Sequence, residues 1–401
     1  MSLFLSVVPV KRAIEVAKSL ATAPKSECIS LNEAQDRVLA GDMASDIDIP
    51  GFTRSVMDGY AVRAADTAGA GESAPAILAL KGRVLMGNSA DYTIQPGECA
   101  YVPTGGILPE GTDAVVMAEN TEPFGDSILI KKPAADGENV IRYNEDFKKG
   151  EVVLEKGRRL SAQDLGVLAA VGCAEVPVTK QPRIGILSTG NELVPVTQVP
   201  ATGQVRDVNS FVIAAFVRDH GCVPVSYGIV RDDREAFGAA LATAARECDA
   251  ILISGGSSKD DRDMTAVVIA GMGKVFVHGV AIAPGKPTVI GRVGTVPVIG
   301  LPGHPAATFV VLVAIVRHLL DGMTGNAAPD PVTIPATLAM NVPSTKGRED
   351  FLRVSLKDGI ATPLFGKSGL LNTLANSDGV LRVPAESEGF EKGSRVEIIP
   401  W

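Results

Sequence analysis

A chain of 401 residues is longer than one ordinary hydrophobic core, so roughly two to four domains are expected. Hydrophobic residues at 46% and charged residues at 21% describe an ordinary folded protein. Aromatics at only 4% and a net charge of −8 argue against a stacking surface for single-stranded nucleic acid and against a polyanion held by bulk charge, but leave room for a small anionic ligand in a local site.

In chain order, "MSLFLSVVPVKRAIEVAKSL" has an apolar start but no cationic region before it, which does not fit a signal peptide. The segments 27–52 and 139–172 read as two halves of one unit. Between them, 53–138 shows β-like alternation with many Gly and Pro, as in "ILALKGRVLMG" (77–87) and "DSILIKKPA" (126–134). From about residue 181 strands and helices alternate. Strands are expected at 182–189, 222–230, 249–256 and 295–303, and helices at 208–221, 232–247, 264–272 and from Pro305 onward. The apolar run 306–316 is too short for a bilayer and reads as a buried helix. After about 328 the chain breaks into short strands with polar turns. No membrane partner is expected.

These patterns predict an α/β multidomain protein. A doubly wound, mostly parallel sheet domain takes 1–26 and 178–326, and a small mixed domain takes 27–45 and 147–177. A β-rich inserted domain takes 46–146, and a C-terminal β-barrel-like domain takes 327–401. Five scattered cysteines without a CxxC pair read as buried free thiols in a reducing, cytoplasmic compartment rather than as a zinc site.

Four strand exits carry the chemistry: "STGNE" (188–192), "GIVRDD" (228–233), "SGGSSKDDRD" (254–263) and "GLPGHP" (300–305). In a parallel sheet they share one edge, where ligands of such sheets sit. "GGSS" offers backbone N–H groups and hydroxyls to an anion, but it is neither a Walker A loop nor the dinucleotide fingerprint. Asp260, Asp261 and Asp263 follow it closely. Carboxylates would repel a phosphate unless a Mg²⁺ lay between, and Asp232 and Asp233 at the neighbouring exit could reach the same ion. The alternative is a solvated turn, with Asp263 capping a helix. "PGKP" (284–287) fixes Lys286 in a rigid turn that could aim its ammonium at an oxyanion. "MDGY" sets Asp58 in a turn, and "PTGG" exposes Thr104 in a polar loop.

Taken together, "IDIPGFTRSVMDGYAVR", "PTGGILPEGTDAVVMAE", "NVIRYNEDFKKGE", "ILSTGNEL", "GIVRDD", "PGKP" and "GLPGHPAATF", with the acid-rich exit, resemble the molybdopterin molybdenumtransferase family, which includes MoeA and the gephyrin E domain. The resemblance runs from about residue 5 to 401. It implies a homodimer of four-domain subunits with a molybdopterin-binding-like sheet domain. It also implies Mg²⁺-dependent insertion of molybdate into adenylylated molybdopterin, with release of AMP, and an adenylyltransferase of the same pathway as the partner delivering the pterin.

Residue by residue, the resemblance implies catalytic roles for Asp58, Thr104, Arg142, Asp146, Glu192 and Lys286. It implies binding roles for Thr189, Ser254, Gly255, Gly256, Pro302, Gly303, His304, Pro305, Arg348, Arg353 and Ser368, and places the metal at Asp232 and Asp263. The chain departs from the family pattern at Ala283, where the family has lysine, at His304, where it has asparagine, and at Ala307, where it has serine. A weakened paralogue that carries the pterin, or one that inserts tungstate, is the alternative expectation. An interaction scaffold is a third.

Overall fold

The computed structural model describes residues 6–255, 264–327 and 332–401. The chain forms two compact units. The first is Met1–Gly41, Lys156–Ser161 and Glu175–Trp401. The second is Asp42–Glu155 and Ala162–Ala174.

The first unit is built on a six-stranded sheet. Its strands are β1 (Arg183–Thr189), β2 (Val223–Val230), β3 (Ala250–Gly255), β4 (Gly273–His278), β5 (Val289–Val293) and β6 (Val296–Leu301). Their spatial order is β2-β1-β3-β6-β5-β4. The first four in that order run parallel, and β5 and β4 complete the sheet as an antiparallel hairpin. The four expected strands are the parallel ones. The β4–β5 hairpin is an addition that the sequence does not announce. Lys274 and neighbouring exposed positions interrupt its apolar pattern, and Gly and Pro punctuate the segment between its strands.

Five helices cover this sheet: α1 (Val10–Leu20), α2 (Asn209–Asp219), α3 (Arg234–Glu247), α4 (Met264–Met272) and α5 (Pro305–Thr324). Strand β3 shows why the parallel strands read as unbroken apolar runs. Ala250 and Leu252 face a core made with α1, α2 and α5, while Ile251 and Ile253 face a second core made with α3 and α4. Each of the large apolar side chains contributes about 1.5–3 kcal/mol by leaving water. Helix α5 is long and apolar enough to cross a membrane by length, yet Val311, Leu312, Ile315 and Val316 are completely buried in the first core. It starts on Pro305 in its first turn and stops at Gly325 in the left-handed conformation, φ 68°.

The C-terminal strands close into a barrel. Glu349–Lys357 pairs with both Ile360–Pro363 and Gly379–Val383, and Ile334–Leu338 and Arg395–Pro400 complete the ring. Ile282–Ala283 adds to the barrel beside Glu349 and Asp350, so the start of the "PGKP" turn is anchored there. Also in the first unit, Ser26–Ser30 pairs antiparallel with Glu175–Thr179.

The second unit holds another six-stranded sheet, in the order Ala114–Met117, Gly59–Val62, Glu98–Val102, Ala76–Arg83, Ser127–Ile130 and Thr121–Phe124. None of the five cysteines forms a disulfide among the described residues. Burial pushes the thiols of Cys99 and Cys222 up to about 12. The expectation of uniformly buried thiols needs correcting at two positions: Cys28 is exposed and Cys173 only half-buried.

Candidate functional site

At the carboxyl edge of the parallel strands lies a cleft of about 2180 Å³ within the first unit. It is lined by Thr189 and Glu192 from the β1 exit, Ser254 and Gly255 from β3, and Pro302, Gly303, His304 and Pro305 from the β6–α5 turn. Lys286 from the β4–β5 loop and Arg348 and Ser368 from the barrel also line it. Because the sheet order is β2-β1-β3-β6-β5-β4, the acids of the β2 and β1 exits sit at one side, while Lys286 comes from the opposite side of the sheet.

On the acid side, Thr189 Oγ1 donates to Asp232 Oδ1 at 2.5 Å, and the Asn191 backbone N–H donates to Asp232 Oδ2 at 3.3 Å. This links the β1 and β2 exits through one exposed carboxylate, which keeps lone pairs for a further partner. Asp233 is committed elsewhere: it caps α3, accepting from the Ala236 N–H at 2.8 Å. Its second oxygen, Oδ2, accepts no hydrogen bond from a described residue. Gly256 and Asp263 lie outside the described residues, as do Asp260 and Asp261. Among the described residues no group of three or more His, Cys, Asp or Glu side chains is placed to hold a metal.

Gly255 is required by its neighbour. At φ 101°, a Cβ would stand 2.0 Å from the carbonyl oxygen of Thr189. The first glycine of the strand exit thus answers first to the close approach of β1 and β3.

On the opposite side, the Ser368 hydroxyl and His304 Nδ1 are hydrogen-bonded at 2.9 Å, and the Ala306 N–H donates to the Ser368 carbonyl at 3.1 Å. The barrel loop is therefore fastened to the N-terminus of α5. His304 occupies the capping position, but its side chain makes no cap bond. Arg348 is tied to Asp350 at 2.8 Å. Arg353 does not line the cleft. It is 5% exposed, its Nη2 donates to the Gly366 carbonyl at 3.0 Å, and burial lowers its pKa. It supports the loop that carries Ser368 from behind.

The remaining expected residues belong to the second unit. Thr104 presents both its backbone N–H (2.6 Å) and its hydroxyl (2.9 Å) to Asp58 Oδ1. These bonds, the backbone one first, hold the Asp58 carboxyl below its ordinary range. Gly59 follows because a Cβ there would lie 2.1 Å from the Val116 carbonyl oxygen. Arg142 pairs with Asp136 at 2.9 Å in an exposed bridge, and the Asp146 N–H donates to the Ile49 carbonyl at 3.0 Å.

Sequence reasoning missed Arg206, Asp207, Asn209 and Arg234, all of which line the cleft. "RDVNS" was available as a polar cluster between a strand exit and a helix, but the helical spacing from 208 onward hid it. Asn209 is 7% exposed. Its Nδ2 donates to Ser254 Oγ at 2.7 Å and to the Gly303 carbonyl at 2.8 Å.

Fold and cleft define a multidomain α/β protein with a cleft at the carboxyl edge of its parallel strands. Three family models match in succession: the MoeA N-terminal region (domain I and II) at residues 8–172, a probable molybdopterin binding domain at 185–322, and the MoeA C-terminal region (domain IV) at 335–401. A putative molybdopterin biosynthesis protein of Methanocaldococcus jannaschii is 34% identical over 99% of both chains. The molybdopterin molybdenumtransferase of Haemophilus influenzae is 33% identical over 94% of both. The crystal structure of a molybdopterin biosynthesis MoeA protein from Pyrococcus horikoshii superimposes with a TM-score of 0.88 at 34% identity, covering 99% of this chain and 100% of that one. The chain belongs to the molybdopterin molybdenumtransferase (MoeA) family, and its family-level role is molybdenum cofactor biosynthesis.

Proposed function

We propose that this chain inserts molybdate into adenylylated molybdopterin in a Mg²⁺-dependent reaction that releases AMP. The observation that carries the reading is the order of polar groups along one cleft. Glu192 lines it at the β1 exit, where Thr189 holds Asp232 and where Arg206 and Arg234 also line the wall; Gly255 and Ser254 lie in the middle, and Lys286, Arg348 and the His304–Ser368 pair beyond. A nucleotide-bearing pterin and a tetrahedral oxyanion need those two ends joined by a backbone they can approach.

The donor set suits Mg²⁺, which takes one or two carboxylates together with phosphate oxygens and water. Asp232 is exposed and retains acceptor capacity beyond Thr189 and Asn191. Asp232 would hold the ion, with Asp263 as the second carboxylate of the proposal, and the ion would neutralise phosphate charge. Lys286 and Arg348 attract the oxyanion, and His304 and Ser368 supply hydrogen bonds to orient it. Glu192 and Asp58 would orient the substrate or a water. Thr104, Arg142 and Asp146 belong to the proposed site through assembly of a homodimer, which light scattering tests. Delivery of the pterin by an adenylyltransferase and a cytoplasmic location belong to the same reading.

The test is AMP release from adenylylated molybdopterin, with and without molybdate and Mg²⁺. Absence of release at saturating Mg²⁺ and substrate refutes the reading, and Asp232→Ala is expected to remove the Mg²⁺ dependence along with most of the activity. A second reading, a pterin carrier or a tungstate-inserting form, draws on Ala283 and Ala307, which put methyl groups on the cleft wall where the family has lysine and serine. Tight pterin binding without molybdate-stimulated AMP release supports the carrier, and release with tungstate in preference to molybdate supports the other.

A further inference from the structure

Asn209 stands where the two halves of the cleft meet. Its amide nitrogen spans from Ser254, at the end of β3, to Gly303, in the turn between β6 and α5. The orientation of the amide is fixed by chemistry, because the Gly303 carbonyl can only accept and must therefore face the nitrogen. Its Oδ1 is buried and takes no hydrogen bond from a described residue. The two bonds donated by the amide nitrogen tie the end of β3 to the turn before α5.

The consequence falls on Ser254. With Asn209 donating to its oxygen, the Ser254 hydroxyl is turned into a donor that needs an acceptor elsewhere, and no described residue takes its proton. Ser254 is 2% exposed and lines the cleft. We propose that Asn209 is a positioning residue. It polarises the Ser254 hydroxyl so that its proton is offered to an anionic oxygen of the ligand, and it locks the Gly303 turn to the same point. This rests on the proposed reaction for the identity of the ligand, an oxygen of either the nucleotide phosphate or the molybdate.

The test is a double-mutant cycle read by calorimetry in two arms, AMP with Mg²⁺ and molybdate alone. Asn209→Ala and Ser254→Ala are each expected to weaken binding about tenfold in at least one arm, in keeping with loss of one hydrogen bond to a charged group. Because both act through one hydroxyl, the double variant is expected to lose little more than either single one. The arm that shows this coupling identifies the oxygen. Unchanged affinity in Asn209→Ala, or additive losses near a hundredfold in both arms, overturns the inference.

Asn209→Asp keeps the shape and guards against a variant that simply fails to fold. Once ionised, the introduced carboxylate can only accept, so it draws the Ser254 proton away from the ligand and repels the Gly303 carbonyl. The ratio of the variant's Kd to that of wild type, read near pH 7.5 where an ordinary aspartate is ionised, is expected to rise at least as far as for Asn209→Ala. A ratio near one overturns the inference. AMP release by the wild-type protein reports separately on the reaction, so the inference can fail while the reaction stands, and the reverse.

Discussion

Gly255→Ala puts the geometry of the strand exit to the test. The new methyl would start 2.0 Å from the Thr189 carbonyl oxygen, against a floor of 3.0 Å for real contacts, at a backbone φ of 101°. Thr189 and Gly255 are register partners at the ends of β1 and β3. The strands must therefore part by about 1 Å where their ladder ends. Overpacking of this kind costs about 1–3 kcal/mol and an unfavourable φ a further 1–3 kcal/mol, for a combined loss of about 2–6 kcal/mol. Gly228→Ala is the control: φ is 73°, but nothing lies within 4 Å of its Cβ. Only the backbone term of about 1–2 kcal/mol applies there. Thermal unfolding of both variants separates the contributions, at roughly 2–4 °C per kcal/mol for a unit of this size. The larger loss is expected in Gly255→Ala, together with weaker AMP binding, because Thr189 also holds Asp232. A loss no greater than that of Gly228→Ala would show that the glycine is not there for the close approach.

Three further outcomes are expected. Trp401 packs edge-to-face on Phe309 with ring centroids 5.0 Å apart, and its Nε1 donates to the Ser377 carbonyl at 3.0 Å. Trp401→Ala should therefore cost about 1–3 kcal/mol by urea unfolding, and a loss below about 0.5 kcal/mol refutes the contact as a stabilising one. Asp58 titrates below its ordinary range, so its hold on Thr104 is complete above about pH 4 and is lost as pH falls through the depressed folded value. Thr104→Val removes the hydroxyl donor and leaves the backbone one. The Asp58 carbon-13 titration midpoint should rise part of the way to the ordinary value, and an unmoved midpoint contradicts the assignment. Ser368→Ala releases the His304 ring from the barrel loop and should weaken molybdate binding about 3–30-fold by calorimetry, with affinity equal to wild type as the refuting result.

How much of this was legible in the sequence depends on how local each cause is. The inner parallel strands could be read because both of their faces are buried, so Ile251–Ile253 and Val298–Leu301 remain apolar without interruption, whereas the edge strand β2 was read from its β-branched residues alone. The β4–β5 hairpin could not, because its stability comes from β6 and its own residues alternate poorly. The glycines of "MDGY" and "SGG" were legible as special, but their cause was not. Sequence suggests a turn at Gly59 and close approach to a ligand at Gly255, whereas each faces a carbonyl of a neighbouring strand far away in the chain. The same distance in sequence hid Asn209. An asparagine at the start of a helix reads as a helix-end residue, and only the fold brings it 2.7 Å from Ser254, 45 positions later, and 2.8 Å from Gly303, 94 positions later. Arg353 shows the converse. A motif match places it among oxyanion ligands, but in the barrel its guanidinium is buried, with Nη2 donating to the Gly366 carbonyl and Nε without a partner among the described residues, and it does not line the cleft. Residue types named the chemistry of this edge, but which of them touch the ligand and which hold others in place is decided by contacts that close over tens of residues. That is why a buried amide between two strand exits is a better guide to the working geometry than another charged side chain on the rim.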